Sequence, residues 1–187
     1  MKMSLLRQPD NLNFASQLNF KFFISRLPHV EFFVQAVNLP SVNLGVINQP
    51  NPFINIPRAG DHINYGPFSI VFKVDEMFNN YKELYDWFTA LGFPDNFEQA
   101  KDVYAGDKFQ QLLKETTGKG PSSEATLTIL NSSMNSIATV TFYDLFPSGL
   151  SEVTFDTRNP SITYIEATCT FAFRKFSINS SGSLTTF

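Results

Sequence analysis

The segment SITYIEATCTFAFRKFSI, residues 161–178, alternates in polarity along its length. Ile165, Ala167, Cys169, Phe171 and Phe173 fall on one parity, and Tyr164, Glu166, Thr168, Thr170 and Arg174 on the other. Successive side chains of a strand point to opposite faces, so the pattern predicts one half-buried strand with Ile165 to Phe173 toward a core. Such a strand is nearly twice the usual length. It needs a pairing partner all along, because an unpaired edge is a template for uncontrolled association.

The rest of the chain fits around that strand. ATLTIL (125–130) and SIATVTFYDLFPSGL (136–150) also read as strands. NFKFFI and EFFVQAV, either side of the break at Leu27-Pro28, predict a hairpin. In PFSIVFKVD, Phe68, Ile70, Phe72 and Val74 share one strand face, and Asp75 is placed to cap a helix. That helix runs over residues 76–91, where Met77/Phe78, Tyr81, Leu84/Tyr85, Phe88 and Leu91 recur at helical spacing before Gly92 and Pro94 stop it. Strands and helix are segregated rather than alternating. The fold class expected is therefore mainly β: an antiparallel β-sandwich or barrel with one flanking α-helix.

The expected organisation is a polar arm over 1–17, one β domain over 18–178 and a polar tail over 179–187. Residues 41–67 are rich in Pro, Asn and Gly. Because Pro50, Pro52 and Pro57 do not fit central strands, this stretch reads as an extended loop with short edge strands. Loops of this length in a compact domain are usually functional. Residues 93–123 read as an elaboration carrying a short helix near 107–116.

Composition narrows the function. Only 17% of the 187 residues are charged, against about 25% in ordinary globular domains, while Phe occurs 21 times. So little charge with so many aromatics implies surface covered by other protein. The 14 basic and 17 acidic residues give a net charge of −3 with no basic stripe, which argues against nucleic-acid binding through phosphates. No run approaches the ~20 apolar residues of a membrane helix, and the first residues lack a signal-peptide core. A lone Cys169 excludes an internal disulfide and reads as a small buried hydrophobe. The compartment expected for folding is a cytoplasm.

No catalytic pattern emerges. His29 and His62 have no metal-ligand spacing, and no nucleophile elbow or phosphate loop occurs. Gly118-Lys119-Gly120 lacks the strand and helix of a phosphate site, and the acidic pairs Asp75/Glu76 and Glu83/Asp86 suit a helix start and a solvated helix face. The expectation is a protein that is not an enzyme and holds no cofactor or metal.

Several elements taken in order resemble the tail tube proteins of contractile-tailed, T4-like bacteriophages. They are the A-x-x-L-P element Ala36-Val37-Asn38-Leu39-Pro40, a loop with Arg58, Gly60 and Asp61, the FSIVFKVDE strand, a helix with central Trp87, and terminal strands joined through Leu145–Leu150. The resemblance covers about 130 of the 187 residues, and the order carries it rather than any one motif.

The resemblance implies a structural subunit forming homo-hexameric rings. Neighbouring strands would close a continuous inner β-barrel on ring oligomerisation, and stacked rings would form a hollow conduit for genome ejection inside a contractile sheath. The implied partners are other copies, a sheath protein, and baseplate or tube-initiator proteins; DNA passes through the lumen without specific binding. The implied location is the virion tail, after assembly in the host cytoplasm. A tube-initiating baseplate protein of the same fold, or a tube protein like that of type VI secretion, are the alternatives. Phe53, Ile54, Ile56, Arg58 and Asp61 are the expected inter-ring contacts. Thr126, Thr128, Thr139, Thr141, Thr168 and Thr170, on polar strand faces, are candidates to line the lumen.

Overall fold

The computed structural model describes residues 18–92, 122–156, 158 and 164–180. The arm over 1–17 and the helix near 107–116 lie outside the described residues. Nine strands and two helices follow in the order β1 (Phe20–Ile24), α1 (Pro28–Phe32), β2 (Val34–Val37), β3 (Val42–Gln49), β4 (Ile56–Tyr65), β5 (Phe68–Lys73), α2 (Asn79–Gly92), β6 (Ser123–Leu130), β7 (Ser136–Leu150), β8 (Glu166–Ala172) and β9 (Lys175–Ser180).

All described pairings are antiparallel. β1, β6, the first half of β7, and β9 form one four-stranded layer. The second half of β7, β8, β5 and β2 form another. β3 and β4 make a separate two-stranded sheet. The expected sandwich with a flanking helix is therefore present, with the short α1 in addition.

Strand alternation builds the core. Phe22, Ile24, Ala125, Leu127, Val140 and Phe142 of the first layer are buried, as are Phe68, Ile70, Phe72, Ala167, Cys169 and Phe171 of the second. They belong to one cluster, closed by Leu84 and Trp87 of α2. Phe68 joins the layers: its ring lies 4.3 Å from Phe142 and 5.8 Å from Phe22 across the sandwich, and 5.9 Å from Phe171 on the adjacent strand. Trp87, absent from the predicted apolar stripe, is 2% exposed and packs 6.2 Å from Phe171.

Three local expectations are corrected. First, β1 and β2 are not a hairpin. They sit at opposite ends of the strand order, with α1 between them in sequence. Pro28 supplies a helical N1 residue instead of a turn, and His29 of α1 bonds Glu83 of α2.

Second, the C-terminal strand breaks at Phe173-Arg174. The apolar parity stays odd through Phe173, which packs against the core, but in β9 it is the even Phe176 that does so. β7 crosses from layer to layer at the same place. A register irregularity there is accommodated by Asp144, whose φ is 55°. The Asp144 carboxylate accepts a bond from Arg174, and the Arg174 N–H donates to the Tyr143 carbonyl at 3.1 Å, so both strands turn together.

Third, Asp75 does not cap α2, which starts four residues later. Phe78 adopts φ 62° and ends a turn closed by its own N–H bonding to the Asp75 carbonyl at 2.9 Å. The Phe78 carbonyl then accepts from Lys82. The fully buried Asn80 ties strand to helix: it donates to the Lys73 carbonyl at 2.8 Å and accepts from the Asp75 N–H at 3.1 Å. Asn80→Ala leaves both backbone groups without that partner. We expect a loss of about 1–3 kcal/mol in chemical denaturation, and an unchanged midpoint would show that the junction is held by packing alone.

Candidate assembly surfaces

Residues 41–67 are folded rather than looped. β3 and β4 pair over their length, and Pro57 is accommodated because a two-stranded ribbon leaves each strand an open edge. A register shift between Leu44 and Val46 brings Gly45 against Gly60: a Cβ on Gly60 would lie 2.6 Å from the Gly45 carbonyl oxygen. Only glycine fits there without moving backbone, which explains the glycine next to Asp61.

This ribbon stands off the body. Every residue of β3 is exposed, as is nearly all of β4. Tyr65 anchors its base, stacking on Phe173 at 5.5 Å and Phe176 at 5.3 Å. Val46, Ile47 and Ile63 are exposed along it, and Phe53 at its tip is 96% exposed. An isolated two-stranded hairpin is marginal in water, and this one leaves a run of large apolar side chains open to solvent, as interaction surfaces do.

Among the expected contact residues, Phe53 and Ile54 lie at the tip and Ile56, Arg58 and Asp61 on β4. Arg58 donates to Gln49 across the ribbon at 2.5 Å, and Asp61 contacts His62 at 2.6 Å. All five thus belong to one projecting element.

The six threonines do not share a face. Thr126, Thr128, Thr139 and Thr141 lie on the outer side of the first layer, opposite its buried residues. Thr168 and Thr170 lie on the outer side of the second, paired with Val71 and Ser69. Because the layers' apolar faces meet in one core, these two sets point away from each other. The first set sits in two rows crossing four strands: Lys21, Thr128, Thr139 and Asn179, and Phe23, Thr126, Thr141 and Ser177. Lys21, Phe23, Ser177 and Asn179 were not foreseen as members of this surface, since strand register is not written in a single strand's alternation.

Among the described residues the first layer ends at β1 on one side and β9 on the other. β1 pairs only with β6, and β9 only with β7 among the described residues. Each edge carries a lysine, Lys21 and Lys175; the latter's ammonium lies 5.3 Å from the centre of the Tyr143 ring.

The lone thiol is inert by placement. Burial alone pushes Cys169 up to about 12, so it stays protonated and unreactive in the folded chain. In the unfolded chain it ionises near its ordinary 9.0. Its contribution to stability is therefore fully present below pH 9 and is lost as pH rises toward 12. We expect the natural chain to lose stability relative to Cys169→Ala across that window; parallel pH profiles in denaturant titrations would contradict the placement. No group of three or more His, Cys, Asp or Glu among the described residues is arranged to hold a metal ion. No described helix is long and apolar enough to cross a membrane.

No family model and no curated protein matches the sequence. Solved structures do share the fold. The tube-terminating cap of the anti-feeding prophage aligns with a TM-score of 0.58 at 9% identity, over 97% of this chain and 100% of that one. A chain of the anti-feeding prophage baseplate aligns at 0.55 and 13% identity, over 90% and 97%. A chain of the PVC sheath–tube complex, an extracellular contractile injection system in its extended state, aligns at 0.55 and 10% identity, over 89% and 91%. The chain thus has the fold found in tube, cap and baseplate components of contractile injection systems.

Proposed function

We propose that this chain is a structural subunit of a contractile-tail tube, assembling as hexameric rings that stack into a hollow conduit for genome ejection from a bacteriophage. The observation that supports the reading is the first layer: a largely polar outer face crossed by continuous rows and bounded by β1 and β9, which have no second strand partner among the described residues. Joining β9 of one copy to β1 of the next continues the rows around a ring and leaves no open edge. The threonine face then becomes the channel wall, and the second layer, with Thr168 and Thr170, faces outward toward a sheath. No catalytic step is required of it.

A wall of Thr, Ser and Asn, with Phe23 and few charges such as Lys21, suits passage of DNA, since a strongly basic wall would hold phosphates. A second reading, a tube-initiating or tube-terminating subunit, is favoured by the equal likeness to baseplate and cap chains. Electron microscopy of the purified protein separates them: tubes of indefinite length support the first reading, single rings the second. A strict monomer at high concentration would contradict both.

The split of the threonines has its own test. In assembled tubes, Thr170→Cys should react with a bulky maleimide polymer at the rate seen in free subunits, while Thr141→Cys should be protected many-fold. Equal protection at both positions would place the wall elsewhere.

A further inference from the structure

The hairpin leaves the body at one end of the β2–β5 pair, where Val37 meets Ile70 and the Asn38 side chain bonds the Ser69 N–H at 2.5 Å. At ~3.3 Å per residue, the eight residues of β3 carry the tip about 25 Å away. The opposite end of the same strand pair holds a groove of about 600 Å³ lined by Phe33, Val74, Phe78, Phe155 and Tyr164. Phe155 and Tyr164 are 70% and 78% exposed, and Phe78 stacks on Phe155 with ring centres 6.1 Å apart. Asp75, Glu76 and Lys73 also line the groove; the Lys73 ammonium sits 5.2 Å from the centre of the Tyr164 ring, and neither carboxylate is ion-paired with a described residue. Next to the tip, Arg58 bonds only the neutral Gln49 and faces no described carboxylate.

Projection and groove are thus both apolar and lie at opposite ends of one strand pair; the groove holds two carboxylates against one lysine, and Arg58 on the projection has no described carboxylate partner, Asp61 being bonded to His62. Two different patches that complement each other make a head-to-tail contact, which repeats along an axis instead of closing on a dimer. We infer that the groove receives the hairpin tip of a second copy of this chain: Phe53 and Ile54 enter against Phe78 and Phe155, and Arg58 meets Asp75 and Glu76. This rests on the reading of the chain as a stacking tube subunit and names the surface on which stacking occurs.

The test is cysteine bridging, which the buried Cys169 leaves clean. Phe53→Cys and Phe155→Cys subunits are mixed, oxidised and run on a non-reducing gel. The expected result is a bridged dimer in the mixture, several-fold more abundant than in either variant alone. Phe53→Cys bridging to itself at equal yield would overturn the inference in favour of a tip-to-tip contact.

Charge reversal gives a second measure that does not depend on either cysteine. Arg58→Glu and Glu76→Arg should each slow assembly about tenfold, and the two variants combined in one chain should recover most of the rate. Failure of the pair to recover overturns the contact. Tubes that form without the 53–155 bridge reject this groove while leaving the tube reading intact; absence of any assembly in the natural chain rejects both.

Discussion

Phe68→Ala lowers the stability of the isolated subunit by about 3–5 kcal/mol, the usual range for emptying a buried phenylalanine site. The position has little room to collapse. Phe68 is fully buried, and its ring touches Phe142 and Phe22 of the facing layer and Phe171 of its own. Those neighbours are fixed by strand pairing on both sides, so they cannot move in to fill the space. A domain of this kind holds about 5–15 kcal/mol in total, so the variant should unfold at markedly lower denaturant and assemble poorly at 37 °C. A loss below about 1 kcal/mol would mean that the layers close over the gap and that the phenylalanine cluster is more plastic than its packing indicates.

Phe53→Asp has the opposite profile: assembly is lost and the fold is kept. Phe53 is 96% exposed, and among the described residues its one hydrogen bond runs from its N–H to the neighbouring Asn51 side chain at 3.4 Å. A charge there meets water in the free subunit, so the denaturation midpoint should stay within about 0.5 kcal/mol of the natural value. On the proposed stacking, the same carboxylate must enter an apolar groove where Asp75 and Glu76 outnumber Lys73, whose ammonium lies over the Tyr164 ring. Burying an unpaired charge costs several kcal/mol, repeated at every subunit of every ring. Sedimentation or light scattering should show tubes replaced by free subunits or single rings. Normal tubes from Phe53→Asp would remove the hairpin tip from the assembly contact.

Alternation along β6, β7 and β8 was readable because each strand has one wet and one buried face, and that periodicity is imposed residue by residue. The helix was readable from Leu84, Phe88 and Leu91 for the same reason. Its start was not, because the left-handed Phe78 and the Asn80 side chain replace the cap that Asp75 alone suggested. The Pro-rich stretch was legible as something that could not join the main sheet, but not as a ribbon. Its pairing depends on the close approach of Gly45 and Gly60, a contact between positions fifteen residues apart.

The candidate surfaces divide along the same line. The projecting apolar tip could be picked out because Phe53, Ile54 and Ile56 sit among turn residues with no periodicity to bury them. The threonines were legible as wet faces, but not as two opposed faces. The mainly β class, the core parity within each strand and the lack of familiar catalytic motifs are written in the chain, since these follow from side chains acting on their own backbone. Which strands are neighbours, how β7 and the C-terminal strand bend together at Asp144 and Arg174, and which polar face lies between β1 and β9 emerge in the folded protein. Those are long-range choices, set by how two layers share one phenylalanine core, and no local pattern encodes them.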